Sequence, residues 1–189
     1  MFRENLPAPP NPLPRSASRT EAALRLIPFS RHRHRLSRVE IRPAREDEIE
    51  PLTRLFVRSR NEMEYLPRVP EEHIAAIADR IREHEEIWVA EEDGRMLGFI
   101  GIEQSRNLDA PVLERIYVEP REQNRGVGTA LLDKAKELRP QGLYLWVFQK
   151  NEGARRLYER HGFELVELTD GAHNMEREPD ALYRWNGSR

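Results

Sequence analysis

No cysteine occurs anywhere in the 189 residues. That excludes disulfides, thiolate metal sites and a cysteine nucleophile, and it fits a cytoplasmic protein. Long apolar runs are lacking too. Nothing approaches the roughly 20 residues that a membrane helix needs, and the N-terminus has no apolar stretch of the secretory kind. Net charge is almost absent, at −2, so the chain as a whole makes no case for nucleic acid as a partner. The six histidines are scattered; His32 and His34 offer no ligand spacing, and no metal is expected. What is there is modest. Hydrophobic residues make up 38%, enough for one core if part of the chain stays outside it.

That part is residues 1–38. "LPAPPNPLPRSASR" is rich in proline and serine, and "SRHRHRLSR" is a basic run. Eight arginines and two glutamates fall in this segment. Proline at this density prevents helix and removes ladder donors, so the segment reads as a disordered tail with at most a short helix near "RTEAALRLI". A transit peptide or a nucleic-acid arm shares the same acid-poor, arginine-rich bias.

A domain is expected over 39–186. Val39 and Ile41 alternate as in a short strand, and Ile49, Leu52, Leu55 and Phe56 have helical spacing. Ile74, Ile77 and Ile81 put a second helix on one stripe. "IWVAEE" and "MLGFIGIEQ" are strands joined by the turn signal "EDGR". "VLERIYVEP" is a further strand, "GTALLDKAKEL" a helix, and "GLYLWVF" is apolar on both faces, as a central strand should be. A short helix, "NEGARRLYERHGF", and two strands, "FELVEL" and "ALYRWN", close the domain. The order β-α-α-β-β-β-α-β-α-β-β predicts a mixed α/β fold, a mostly antiparallel sheet with one crossover.

The crossover helix begins at "QNRGVGTALL". A Walker loop, a dinucleotide fingerprint and a nucleophile elbow are all missing here, since Leu131 stands where the third glycine would and no G-x-S-x-G exists. What remains is strand, basic loop, glycine pair, helix. The first amides of a helix have no intrahelical partner and carry partial positive charge. Gly126 and Gly128 would let an anion approach them, and Arg121 and Arg125 add charge. Alone, the pair is equally well a tight turn.

Gln123-Asn124-Arg125-Gly126-Val127-Gly128 resembles the Q/R-x-x-G-x-G/A signature of the GNAT N-acetyltransferases. "NEGARRLYERHGF" resembles that family's later N-x-x-A-x-x-x-Y-x-x-x-G-F segment. The two occur in the family's order and cover, with their flanking elements, about residues 39–186. The resemblance implies a twisted sheet of about six or seven strands with helices on both faces, splayed at a slot. It implies acetyl-CoA as co-substrate and a primary amine as acceptor. The pyrophosphate would rest on amides from Gln123 to Thr129, the pantetheine arm on Ile116, Tyr117, Val118 and Asn151, and Tyr158 would lie beside the sulfur.

The residues carry bland readings too. Asn151 is placed to cap a helix. Tyr158 shares an apolar stripe with Ala154 and Leu157 and would by itself be core. His161 reads as a cap-region residue. A phenol of pKa about 10 can donate a proton to a leaving thiolate at neutral pH. Glu103 and Glu114 are the candidate bases, acting through water. The acceptor pocket is expected from residues 59–75, the end of "LGFIGIEQ" and the loop "TDGAHNMEREPD", with Tyr65, Glu103, Asn174, Glu176 and Asp180 as candidates. Without cysteine, transfer is expected to be direct within a ternary complex. A catalytically silent acyl-CoA-binding module of the same fold, and a nucleic-acid-associated protein acting through its tail, are the rival readings; a homodimer is left open.

Overall fold

Glu48 sets the entry to the first long helix. Its carboxylate accepts from the Arg45 amide (2.7 Å) and from Arg42 (2.7 and 2.9 Å). The Arg42 guanidinium holds the carboxyl well below its usual range, at about 2. The computed structural model describes residues 39–187. The tail expected over 1–38 lies outside them.

Helix α1 (Ile49–Asn61) follows strand β1 (Glu40–Pro43), and α2 (Ile74–His84) follows α1. Strands β2 (Glu86–Glu92) and β3 (Arg95–Glu103) form the hairpin. Asp93 and Gly94 at its tip have φ of 51° and 75°, the left-handed pair that a two-residue turn between twisted strands needs. Then come β4 (Val112–Val118), α3 (Val127–Leu138), β5 (Leu143–Phe148), α4 (Glu152–Arg160), β6 (Glu164–Leu168) and β7 (Asp180–Trp185). This is the predicted order.

The seven strands make one sheet, ordered β1-β2-β3-β4-β5-β7-β6. All neighbours are antiparallel except β4 and β5, which are joined through the α3 crossover. Helices α1 and α2 pack on Ile87, Val89 and Phe99 on one face. Helices α3 and α4 cover the other, where Leu131, Leu132 and Tyr158 meet Ile100, Leu145 and Tyr183. Among the described residues no helix is long and apolar enough to cross a membrane.

Two irregularities create the site. On β4 the register slips: Gly101 faces Arg115 and Ile102 faces Leu113, so Glu114 is an extra, unpaired residue. Such a bulge bends its strand and reverses the side-chain alternation beyond it. The second follows from the first. The parallel partners β4 and β5 share only the register pair Val112–Tyr144 and diverge afterwards. Past the bulge, Arg115 and Tyr117 face α1, where both meet the Phe56 ring at 4.8 Å, while Ile116 and Val118 pack toward α3 and α4.

Strand β5 is interior, as its sequence leads one to expect, but the cover over its two faces differs. Leu143, Leu145 and Val147 lie under α3 and α4, whereas Trp146 on the opposite face is 43% exposed. Helices α1 and α2 stop short of it, packing on β2 to β4 only.

Candidate active site

Where β4 and β5 part, a cleft of about 950 Å³ opens. Ile116, Tyr117 and Val118 form one wall, and Asn151, Leu157 and Tyr158 another. Its end is closed by the loop and first turn of α3, through Gln123, Asn124, Gly126, Gly128 and Thr129. The first ladder bond of α3 runs from the Ala130 amide to the Gly126 carbonyl (3.0 Å). The amides of Val127, Gly128 and Thr129 come before it and have no intrahelical acceptor.

The two glycines have different reasons. Gly126 has φ 91°, a left-handed conformation that a side chain resists. Gly128 is ordinary helix. A Cβ there would meet only Val118 Cγ2 at 3.7 Å and Leu157 Cδ2 at 3.8 Å, both comfortable contacts. The fold therefore tolerates a side chain at Gly128; what it would fill is the cleft, directly over the free amides. This fits a bound anion that approaches the backbone closely.

Tyr158 reaches the cleft from α4, packed against Phe163 and Tyr183 at 6.0 and 6.5 Å between centroids. Burial raises its pKa, with Tyr117 adding to the effect, so the phenol keeps its proton. Burial likewise pushes Tyr117 up to about 12. Asn151 does two things at once. Its Oδ1 accepts from the Ala154 amide (3.1 Å) as the cap of α4, and its side lines the cleft.

Residues 49–163 match the acetyltransferase (GNAT) family. The chain belongs to this family. It is 36% identical over 94 residues to the peptidyl-lysine N-acetyltransferase YiaC of Escherichia coli (strain K12), a match covering 50% of this chain and 60% of that protein. The chain thus spans less than two thirds of the curated relatives it matches. Among solved structures, YncA of Salmonella typhimurium with its cofactor acetyl-CoA superposes with a TM-score of 0.60, at 18% identity, over 79% of this chain and 94% of that one. The ribosomal-protein-S18-alanine N-acetyltransferase of Escherichia coli gives 0.62 at 21% identity, over 80% and 95%. These two likenesses concern the fold.

Within this GNAT fold several expected site residues are placed elsewhere. Arg125 does not line the cleft. It is paired with Glu122 and reaches Glu92, on β2, at 3.4 Å. Val127 is core and contributes only its amide. Glu103 and Glu114 both reach Arg80, at 3.1 and 3.7 Å. Residue 114 is the bulge itself, about four residues or ~13 Å of strand from Val118. Neither glutamate lines the cleft.

The acceptor side is likewise rearranged. Tyr65 lines the cleft, and its buried hydroxyl finds no partner among the described residues. Glu176 instead accepts from Arg60 (2.9 Å), whose other nitrogen donates to the Pro67 carbonyl (2.5 Å). That guanidinium ties the α1–α2 connection to the β6–β7 loop. Asn174 donates to the Glu178 carbonyl (2.8 Å) and to Asp180 (2.9 Å), so both build the loop. Ser59, Glu62, Met63 and Glu64 also line the cleft, inside the 59–75 segment expected to form the acceptor pocket; Lys150, just before α4, and Arg160, at its end, line it too and were not foreseen. Nothing in their spacing marks them. Among the described residues no group of three histidine, aspartate or glutamate side chains comes together as metal ligands.

Proposed function

We propose that this GNAT chain is an acetyl-CoA-dependent N-acetyltransferase whose acceptor is the side-chain amine of a lysine in a polypeptide. One observation carries the cofactor part. Gly128 keeps open, over three free amides, a space the fold itself does not need, and a buried phenol lies farther along the same cleft. YncA, with acetyl-CoA, supports the choice of cofactor; YiaC, a peptidyl-lysine N-acetyltransferase, supports the choice of acceptor.

Acetyl-CoA supplies the acetyl group as a thioester. The amides of Val127 to Thr129 hold its pyrophosphate, and the helix dipole favours that charge. Backbone of Ile116 to Val118 and the Asn151 side chain hold the arm in the slot. Glu62 and Glu64 at the acceptor end attract a cationic lysine. The ammonium loses one proton to solvent, its nitrogen bonds to the carbonyl carbon, the C–S bond breaks, and the nitrogen gives a second proton to water. Tyr158 gives its phenolic proton to the departing sulfur and regains one from water. With no cysteine to carry the acetyl group, transfer is direct. Glu103 and Glu114, held by Arg80 away from the cleft, have no part in this scheme.

The test is release of free thiol from acetyl-CoA with lysine peptides and with small amines. Lysine peptides are expected to turn over. Tight acetyl-CoA binding without thiol release from any amine would replace this reading with a silent acyl-CoA-binding module.

A further inference from the structure

The uncovered face of β5 adjoins the cleft, and its middle is open. Tyr144, Trp146 and Phe148 alternate along that face, about 7 Å apart. Tyr144 is covered: its hydroxyl donates to Asp109 (2.8 Å), and Leu108 and Ala110 pack over it and Leu182. Phe148 is covered by the edge of the Tyr65 ring at 6.1 Å. Trp146, between them, is 43% exposed. What marks this indole is its place: it is the open position between two covered aromatics on a strand that borders the cleft.

The row across the sheet gives the chemistry of this notch. Trp146 faces Leu182 on β7, and Leu182 faces Glu167 on β6, so the three share one side. Leu182 itself is covered by Leu108 and Ala110, so the open floor is the indole, and the row ends in the exposed carboxylate of Glu167. Tyr65 belongs to both places, since it walls the cleft and covers Phe148. One step along the stripe separates the cleft mouth from the open indole. Leu165 and Leu168 on β6 pair with Tyr183 and Ala181, whose side chains belong to the α3–α4 core. They face the other way and are no part of the notch.

We infer that the Trp146 notch seats an apolar side chain flanking the acceptor lysine, so that the polypeptide lies across β5 while its lysine enters past Tyr65. This rests on the lysine-polypeptide reading above. The occupant follows from continuity with the cleft and from charge: a chain carrying a lysine meets Glu62 and Glu64 at the entrance and Glu167 at the far margin. A small amine bound in the cleft would have nothing to place on the indole.

Two lysine peptides, identical except for leucine or serine on either side of the lysine, would be compared with acetyl-CoA in excess. Half-burying one leucine is worth about tenfold in kcat/KM, and the wild-type protein is expected to prefer the leucine peptide by that much. Trp146→Thr, which suits an exposed strand position, should erase the preference yet keep the serine-peptide rate and acetyl-CoA affinity. Trp146→Tyr should retain it. A preference surviving in Trp146→Thr, or absent in the wild type, overturns the notch alone. Equal loss on both peptides overturns it as well, because Trp146 would then serve folding. Turnover of n-butylamine with neither peptide acetylated would instead overturn the lysine-polypeptide reading, and the notch with it.

Discussion

Gly126 and Gly128 stand two positions apart, and alanine at each should fail differently. At Gly126 the backbone is left-handed, so Gly126→Ala should cost about 1–2 kcal/mol of stability, read as a lower Tm. At Gly128 the Cβ has room, so Gly128→Ala should keep Tm but weaken acetyl-CoA in calorimetry. Gly128→Glu, adding bulk and negative charge, should abolish binding in a folded protein. Unchanged affinity there would remove the pyrophosphate from α3. Tyr158→Phe keeps the ring packing and removes the proton. General acid help is worth about 10²- to 10⁴-fold; since water substitutes in part, kcat should fall roughly ten- to a thousandfold while acetyl-CoA affinity stays. Because burial raises the Tyr158 pKa above its ordinary value of about 10, its proton stays on through the neutral and mildly alkaline range. No alkaline fall in kcat should therefore trace to Tyr158 below that point. A wild-type kcat in Tyr158→Phe, with chemistry limiting, would reduce the tyrosine to packing.

Between elements, the junction of α2, β2 and β4 carries a buried ion pair. Glu85 has no exposed side-chain surface. One oxygen accepts from Arg115 Nε at 2.7 Å, and the other has no partner among the described residues. Gly101 makes the room, since a Cβ there would run into this carboxylate. Burial pushes Glu85 up to about 7 even though Arg115 opposes it; Glu114 adds to the rise and Arg80 counters it. A carboxyl raised in the folded state binds its proton more tightly there than unfolded. Its contribution is then greatest below the unfolded pKa and is lost as pH rises through the folded one. Relative to Glu85→Gln, wild-type unfolding free energy should fall by about 3 kcal/mol between roughly pH 4.5 and 7 and run parallel outside that window. Urea titrations of both proteins at several pH values would show it; parallel curves throughout would mean the carboxylate ionises freely. The pairing was not legible in the sequence, because Glu85, Gly101 and Arg115 lie on three separate strands or strand ends and meet only through the β3–β4 register.

At the scale of the whole molecule, the two large core clusters among the described residues draw on the sheet and all four helices. The composition of residues 1–38 supplies no core of its own. A chain starting at Ser37 should keep its Tm and its acetyl-CoA affinity; a drop of several degrees would mean that the segment docks on the domain. The order of elements, the crossover helix and the glycine turn were readable, since periodicity, turn chemistry and helix starts are local and act over a few residues. So were Asn151 and Tyr158, which lie on one short helix whose spacing is its geometry. Which glutamates faced the cleft was not readable. Glu114 is a bulged residue, and it and Glu103, on the neighbouring strand, meet Arg80 of α2; a register shift is a property of two strands, not of one. The pairing of the Arg125 side chain was not readable for a similar reason: its partners Glu122 and Glu92 stand on the loop before it and on β2. The one-sided burial of β5 was also undecided, because an apolar strand says that both faces could be covered, while the reach of α1 and α2 across the sheet decides that Trp146 is not. Local chemistry along the chain determined the elements and the glycine turn before α3; the contacts between distant segments decided which charges are spent on each other and which line the cleft.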